Sequence, residues 1–176
     1  HPLLARLLGY HAHTWWQRGN LELAERQAGQ ALAVAAASGD PASARDGQDA
    51  LANVFGFRGD HDAARLAGER AYELAVAADD ADVQAMALMD LATQSAYAGR
   101  HEEAARYEAT FAALVERTRS VTGRASLAYV RGECRVERGG ADAPRYLEEA
   151  VTVAEEAELS FAAGIARHTL VTSSAR

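Results

Sequence analysis

The sequence predicts an all-α chain of about nine helices, folded as a stack of antiparallel hairpins, and three observations carry that reading. A glycine returns every 40 residues, at Gly19, Gly59, Gly99 and Gly139. Small residues recur at fixed distances from it: Ala12, Ala52, Ala92 and Gly132 seven before, and Ala24, Ala64 and Ala104 five after, with Pro144 in the fourth repeat. No stretch shows sustained period-two alternation of β-branched residues and no Asn-Gly hairpin signal occurs, so no strand is expected.

Each repeating glycine sits where one apolar-periodic segment ends and another begins, in Arg18-Gly19-Asn20, Arg58-Gly59-Asp60, Gly99-Arg100 and Arg138-Gly139-Gly140. Glycine just past a helix end takes the left-handed conformation without a Cβ penalty, and Asn20 or Asp60 can cap the helix that follows. The small residues at fixed offsets let the two helices of a hairpin approach closely at the waist. A second set of boundaries joins one hairpin to the next: Ser38-Gly39-Asp40-Pro41, Asp79-Asp80-Ala81 and Ser120-Val121-Thr122-Gly123. Asp40 before Pro41 is a cap followed by a first-turn proline. Helices are therefore expected near 3–18, 21–38, 41–58, 61–79, 81–98, 101–118, 122–138, 142–157 and 159–174. Each is about 25 Å long at 1.5 Å per residue. Pro144 falls in the first turn of the eighth, where proline is tolerated. The ninth presents Phe161, Ile165 and Leu170, which need a neighbour, so it caps the stack or begins a fifth hairpin.

The chain has 176 residues, enough to bury a core without disulfides or a metal. It is read as a single helical-repeat domain over 1–176, with repeats at about 1–40, 41–80, 81–120 and 121–158 and a terminal helix at 159–174. The start at His1-Pro2, without Met, suggests a piece of a longer protein. No apolar run reaches the ~18 residues of a membrane span. The single Cys134 cannot form an internal bridge, which is compatible with a reducing compartment, and a cytoplasmic location is expected. A formal charge of -7 argues against non-specific nucleic-acid binding, which needs a basic face. All 18 basic residues are Arg, and with the abundance of Ala and Gly this points to coding bias in a GC-rich bacterial genome.

The segments Gly19-Asn20-Leu21-Glu22-Leu23-Ala24 through Ala31-Leu32, Gly59-Asp60 through Ala64 and Ala71, and Gly99-Arg100-His101-Glu102-Glu103-Ala104 resemble the turn and second helix of tetratricopeptide repeats. The resemblance spans nearly the whole chain, although the 40-residue period exceeds the usual 34. It implies a right-handed superhelical stack of hairpins. The lengthened form resembles the helical sensor or assembly regions of large bacterial transcriptional regulators of the MalT-like and antibiotic-regulatory-protein-like families. There the helical region receives an effector or partner and controls ATPase and DNA-binding parts. This chain has no Lys and so no phosphate-binding Gly-x-x-x-x-Gly-Lys loop.

In a stack of that kind the first helix of each hairpin lines the inner surface. Aligned on the glycines, the inner rungs are Gln17, Phe57, Tyr97 and Glu137 two residues before, with Trp16 adjacent, and His13, Asn53, Thr93 and Glu133 six before. Ten before stand Gly9, Asp49, Met89 and Tyr129; thirteen before stand Arg6, Asp46, Met86 and Ser126. The candidate partner-binding residues are therefore His13, Trp16, Gln17, Asn53, Phe57, Met86, Met89, Thr93, Tyr97, Tyr129, Glu133 and Glu137. Apolar side chains would supply contact area to a peptide or amphipathic helix, and Asn53 could bond an extended backbone. The same aromatic stripe also reads as ordinary core between hairpins. Grooves of the resembled family that clamp a terminal carboxylate use Lys, Arg and Asn. Asn53 and Arg6 fit that pattern, but the lysines are missing.

No catalytic constellation emerges. His11 and His13 point about 200° apart on a helix and cannot share a metal. His61 and His101 both follow a turn glycine by two residues, so the repeat accounts for them. Asp79, Asp80 and Asp82 read as caps and solvated charges at a helix junction, Cys134 as a structural thiol, and Arg58-Gly59-Asp60 as a chance adhesion tripeptide. The expectation is a non-catalytic protein or peptide interaction module with no cofactor and no metal. The alternatives are a receptor for a small effector in the same groove and an oligomerisation segment built on the last helix.

Overall fold

The computed structural model describes residues 1–173, leaving aside the side chain of Phe161. Among the described residues the chain is all-helical, with nine α-helices and no strand. They are α1 (Pro2–Gln17), α2 (Leu21–Ser38), α3 (Arg45–Phe57), α4 (His61–Ala77), α5 (Ala81–Tyr97), α6 (His101–Thr118), α7 (Val121–Glu137), α8 (Ala143–Glu156) and α9 (Ser160–Ser173). The expected third helix starts differently: Pro41–Ala44 forms one turn of 3-10 helix before α3. Of the expected ninth helix, residue 174 lies outside the described residues, as does the Phe161 side chain.

The turns repeat one geometry. Gly19, Gly59, Gly99 and Gly139 all take positive φ, from 68° to 78°. In each, the glycine N–H donates to the carbonyl three residues back, and the next N–H to the carbonyl five back, as in Gly19 to Trp16 and Asn20 to Trp15. This Schellman arrangement satisfies carbonyls that the helix end leaves open. Asn20 and Asp60 then accept the N–H of Leu23 and Ala63, both at 3.1 Å, and so cap α2 and α4. The left-handed residue also returns between hairpins, at Gly39, Asp79, Arg119 and Glu158, so a helix ends about every 20 residues.

The chain divides into two compact units, His1–Asp90 and Leu91–Arg176. In the first, α1 packs along α2, α3 along α4, and α3 also against α1 and α2. Its waist is alanine: Ala12, Ala28 and Ala50 meet fully buried, one from each of α1, α2 and α3. Gly9 lets α1 approach α3 so closely that a Cβ there would lie 2.8 Å from the Asp46 carbonyl carbon and the Gly47 nitrogen. In the second unit α7 packs against α6, α8 and α9, and α8 against α9. Two joints repeat the alanine device, Ala125–Ala154–Ala163 and Ala128–Ala150–Ala166. Phe111, Leu147 and Val130 supply the larger buried side chains. Pro144 departs from the small-residue pattern: it is exposed, and Ala143 beside it is buried instead.

Candidate functional site

In the first unit, α1 and α3 bring His13, Trp16 and Phe57 into one aromatic run. The His13 and Trp16 rings lie 5.0 Å apart, and Trp16 meets Phe57 edge-to-face at 5.9 Å and 84°. Phe57 is 69% exposed, so it is not core. Gln17 is exposed beside this run, and Met86 on α5 is 43% exposed. Met89 is half-buried.

Beside the aromatic run lies a cavity of about 380 Å³, lined among others by Arg6, Tyr10, His13, Asp46, Asp49 and Met86. Its electrostatics are set by carboxylates. Arg45 reaches Asp46 at 2.9 Å and Asp80 at 2.6 Å, and Arg6 approaches Asp46 at 3.5 Å. Asp49 has the His13 Nδ1 at 3.7 Å. Burial holds the His13 imidazole below its ordinary value against the pull of the Asp46 charge, so at neutral pH this is a polar contact with an uncharged ring. Burial, reinforced by the charge of Asp46, pushes Asp49 up to about 6. Asp90 on α5 goes further, to about 8, from burial and the facing charge of Asp49. The amide of Asn53 partly offsets this. Its Nδ2 donates to Asp90 Oδ2 at 3.2 Å and to the Asp49 carbonyl at 3.1 Å, tying α3 to α5.

The corresponding rungs of the second unit do something else. Glu133 is buried, yet both its oxygens accept from hydroxyls: Tyr97 Oη donates to Oε2 at 2.8 Å and Thr169 Oγ1 to Oε1 at 2.6 Å. Tyr129 faces the same carboxylate. Burial and then the Glu133 charge push both tyrosines above their ordinary value, so they stay protonated donors. Thr93 is buried, Glu137 half-buried, and Tyr97 keeps part of its ring exposed. Cys134 is buried, donates to the Ala92 carbonyl and is pushed up to about 11 by burial, which makes it a poor nucleophile.

The candidate residues thus fall into two groups. His13, Trp16, Gln17, Asn53, Phe57, Met86 and Met89 lie in the first unit, with solvent-facing apolar surface at Phe57 and Met86. Thr93, Tyr97, Tyr129, Glu133 and Glu137 lie in the second, where Glu133, Tyr97 and Tyr129 share a network. Asn53, Thr93 and Glu133 have buried side chains, so their polar atoms serve the packing in this structure. Sequence reasoning missed Asp90 and Thr169. Asp90 carried a readable signal, because it holds a charge at a repeat position occupied by Ala50 and Val130 elsewhere.

Among the described residues no helix is long and apolar enough to cross a membrane, and no group of three or more His, Cys, Asp or Glu is placed to hold a metal ion. No protein-family model and no curated protein matches this chain.

Proposed function

We propose that this chain is a non-catalytic interaction module that binds a protein or peptide segment, as the sensor or assembly region of a bacterial transcriptional regulator. The observation that carries the reading is the aromatic run Trp16–Phe57 with Phe57 standing in solvent. An aromatic side chain that meets Trp16 edge-to-face and stands outside the core suits a partner's apolar side chain, and aromatic residues are enriched among binding hot spots. The neighbouring Asp46 and Asp49 favour a partner that also carries a cationic group. The regulator context rests on the resemblance in the repeats. The tetratricopeptide-like superhelical stack belongs to the same proposal, supported by the 40-residue period together with the hairpins inside each unit.

A second reading has its own observation. The cavity beside Asp49 is of a size that fits a small effector, and the raised carboxyl of Asp49 would be stabilised as a carboxylate by a cation. Selection of peptides from a random displayed library separates the two. The interaction reading expects enriched peptides combining an apolar and a basic residue, bound at least tenfold less tightly by Phe57→Ala at unchanged thermal stability. That factor is about 1.4 kcal/mol. Failure to enrich any peptide, or binding indifferent to Phe57→Ala, counts against it.

A further inference from the structure

The first helix of each hairpin carries a stripe at 16, 12 and 9 residues before the turn glycine. Before Gly59 this stripe is Ser43 in the 3-10 turn and Gly47 and Ala50 in α3, all buried, and Gly47 is covered by the preceding hairpin's second helix. A Cβ at Gly47 would touch Ala31 and Leu32 of α2 at 3.2 Å. In α7 the stripe is Gly123, Leu127 and Val130, again buried, with Gly123 against Val115 of α6. In α1 the same positions are Leu3, Leu7 and Tyr10, exposed to 66%, 56% and 68%. They lie on the side of α1 opposite the buried Ala5, Gly9 and Ala12. Three bulky apolar side chains in solvent at i, i+4 and i+7 form an apolar helix stripe of the kind that marks an interaction surface.

We propose that this face of α1 docks an amphipathic helix of the same chemistry as α2, one that presents alanine or glycine at i, i+4 and i+7 and carries carboxylates at its flanks. Continuity with the α2–α3 interface identifies the occupant: Gly47 meets α2 and Gly123 meets α6, in each case the second helix of the preceding hairpin, and α2 is the one that presents small residues throughout. The occupant must offer small residues where Leu3, Leu7 and Tyr10 project, as Ala24, Ala28, Ala31 and Ala35 do along α2. Charge agrees. α1 has no carboxylate, and Arg18 precedes its turn glycine as Arg58 precedes Gly59, where Arg58 pairs with Glu25 of α2 at 2.6 Å. This surface is separate from the aromatic run of the interaction reading and does not depend on it.

The probe is a segment with the sequence of residues 21–38, fused ahead of His1 through a flexible Gly/Ser linker of about 15 residues. An isolated helix of this length is marginal in water, and tethering holds it at roughly millimolar effective concentration. Hydrogen exchange of the tethered segment is the readout. Its amides should be protected at least tenfold, and the protection should vanish in Leu7→Arg and persist in the control Val76→Arg on α4. Amides that exchange freely, or protection that survives Leu7→Arg, overturn the proposal. A concentration-dependent dimer of the untethered protein, seen by light scattering and abolished by Leu7→Arg, also overturns it, because the face would then belong to a second copy.

Discussion

The two units place carboxylates on their first helices, six, nine and ten residues before a turn glycine, and treat them in opposite ways. In the second, Glu133 is buried with a hydroxyl on each oxygen, from Tyr97 and Thr169. In the first, Asp49 and Asp90 face one another, and the arginines nearby are engaged by Asp46 and Asp80. A buried carboxylate with charge-assisted donors rigidifies its surroundings. A half-buried like-charged pair raises its own pKa values and leaves electrostatic strain that a proton would relieve. The second unit thus closes its carboxylate with hydroxyl donors, and the first leaves Asp49 at the wall of a cavity while Asn53 and Asp90 tie α3 to α5.

The largest expected effect tests how tightly the first unit closes behind this pair. Gly9→Ala drives a Cβ into the backbone of Asp46 and Gly47, which cannot rotate away. It should cost about 2–3 kcal/mol of stability. Gly132→Ala is the control in the second unit: its nearest atoms are the end of the Leu147 side chain, which can shift, so the loss should be smaller. Both tryptophans, Trp15 and Trp16, lie in the first unit, so denaturant unfolding followed by tryptophan emission reports that unit, and far-ultraviolet circular dichroism reports the whole. Equal losses for the two variants would mean that α1 and α3 are not in backbone contact at Gly9.

The carboxylates themselves should respond with opposite signs. Glu133→Gln replaces one accepting oxygen with an amide nitrogen opposite a hydroxyl, and should destabilise by about 1–3 kcal/mol. Asp90→Asn keeps an acceptor for Asn53 and removes one charge of the pair, and should stabilise the first unit near pH 8 by about 1 kcal/mol or more. The wild-type pH dependence follows from the same shifts. A carboxyl raised to about 8 in the folded state binds its proton there before the unfolded chain does. Its contribution is therefore fully present only below the unfolded value and is lost as pH rises through 8. Asp49, at about 6, adds the same sign at lower pH. His13, held low by burial, works the other way, since its contribution is lost as pH falls below the ordinary imidazole range. Stability read by tryptophan emission should rise from pH 9 to about 6.5, pause where His13 opposes the gain of Asp90, and rise again below about 6 as Asp49 adds its share. Asp90→Asn should remove most of that rise. A profile that falls on acidification across this window would exclude a strained pair.

Much of this architecture could be read from the sequence because its boundaries are local. A glycine at a fixed interval, an Asn or Asp after it and an alanine five on place the helix ends within a residue or two, since the Schellman turn and the cap are made by neighbours in the chain. The 3-10 start before α3 escaped, because Asp40-Pro41 announces a helix without specifying its first turn. The inner rungs were also legible as positions. Their partition into an exposed aromatic run, a strained carboxylate pair and a closed hydroxyl network was not. Those outcomes hang on partners far along the chain, Asp90 for Asn53 and Thr169 for Glu133, and single-helix periodicity carries no information about which long-range polar pair forms.

The smallest effect returns to the turns, where the two units again differ. Asp79 in the first and Arg119 in the second sit at φ 52° and 53°, at positions where glycine would carry no Cβ penalty. A non-glycine residue in this region loses roughly 1–2 kcal/mol, and aspartate is among the side chains that tolerate it best. Substituting glycine relieves that strain but adds freedom to the unfolded chain, which returns part of the gain. Arg119→Gly should therefore raise stability by about 0.5–1 kcal/mol, and Asp79→Gly by less. The arginine gains more because its side chain has no short oxygen to bond the local backbone. Thermal unfolding of the two variants side by side decides it. Equal gains would show that the aspartate at 79 offers its turn nothing that arginine at 119 lacks.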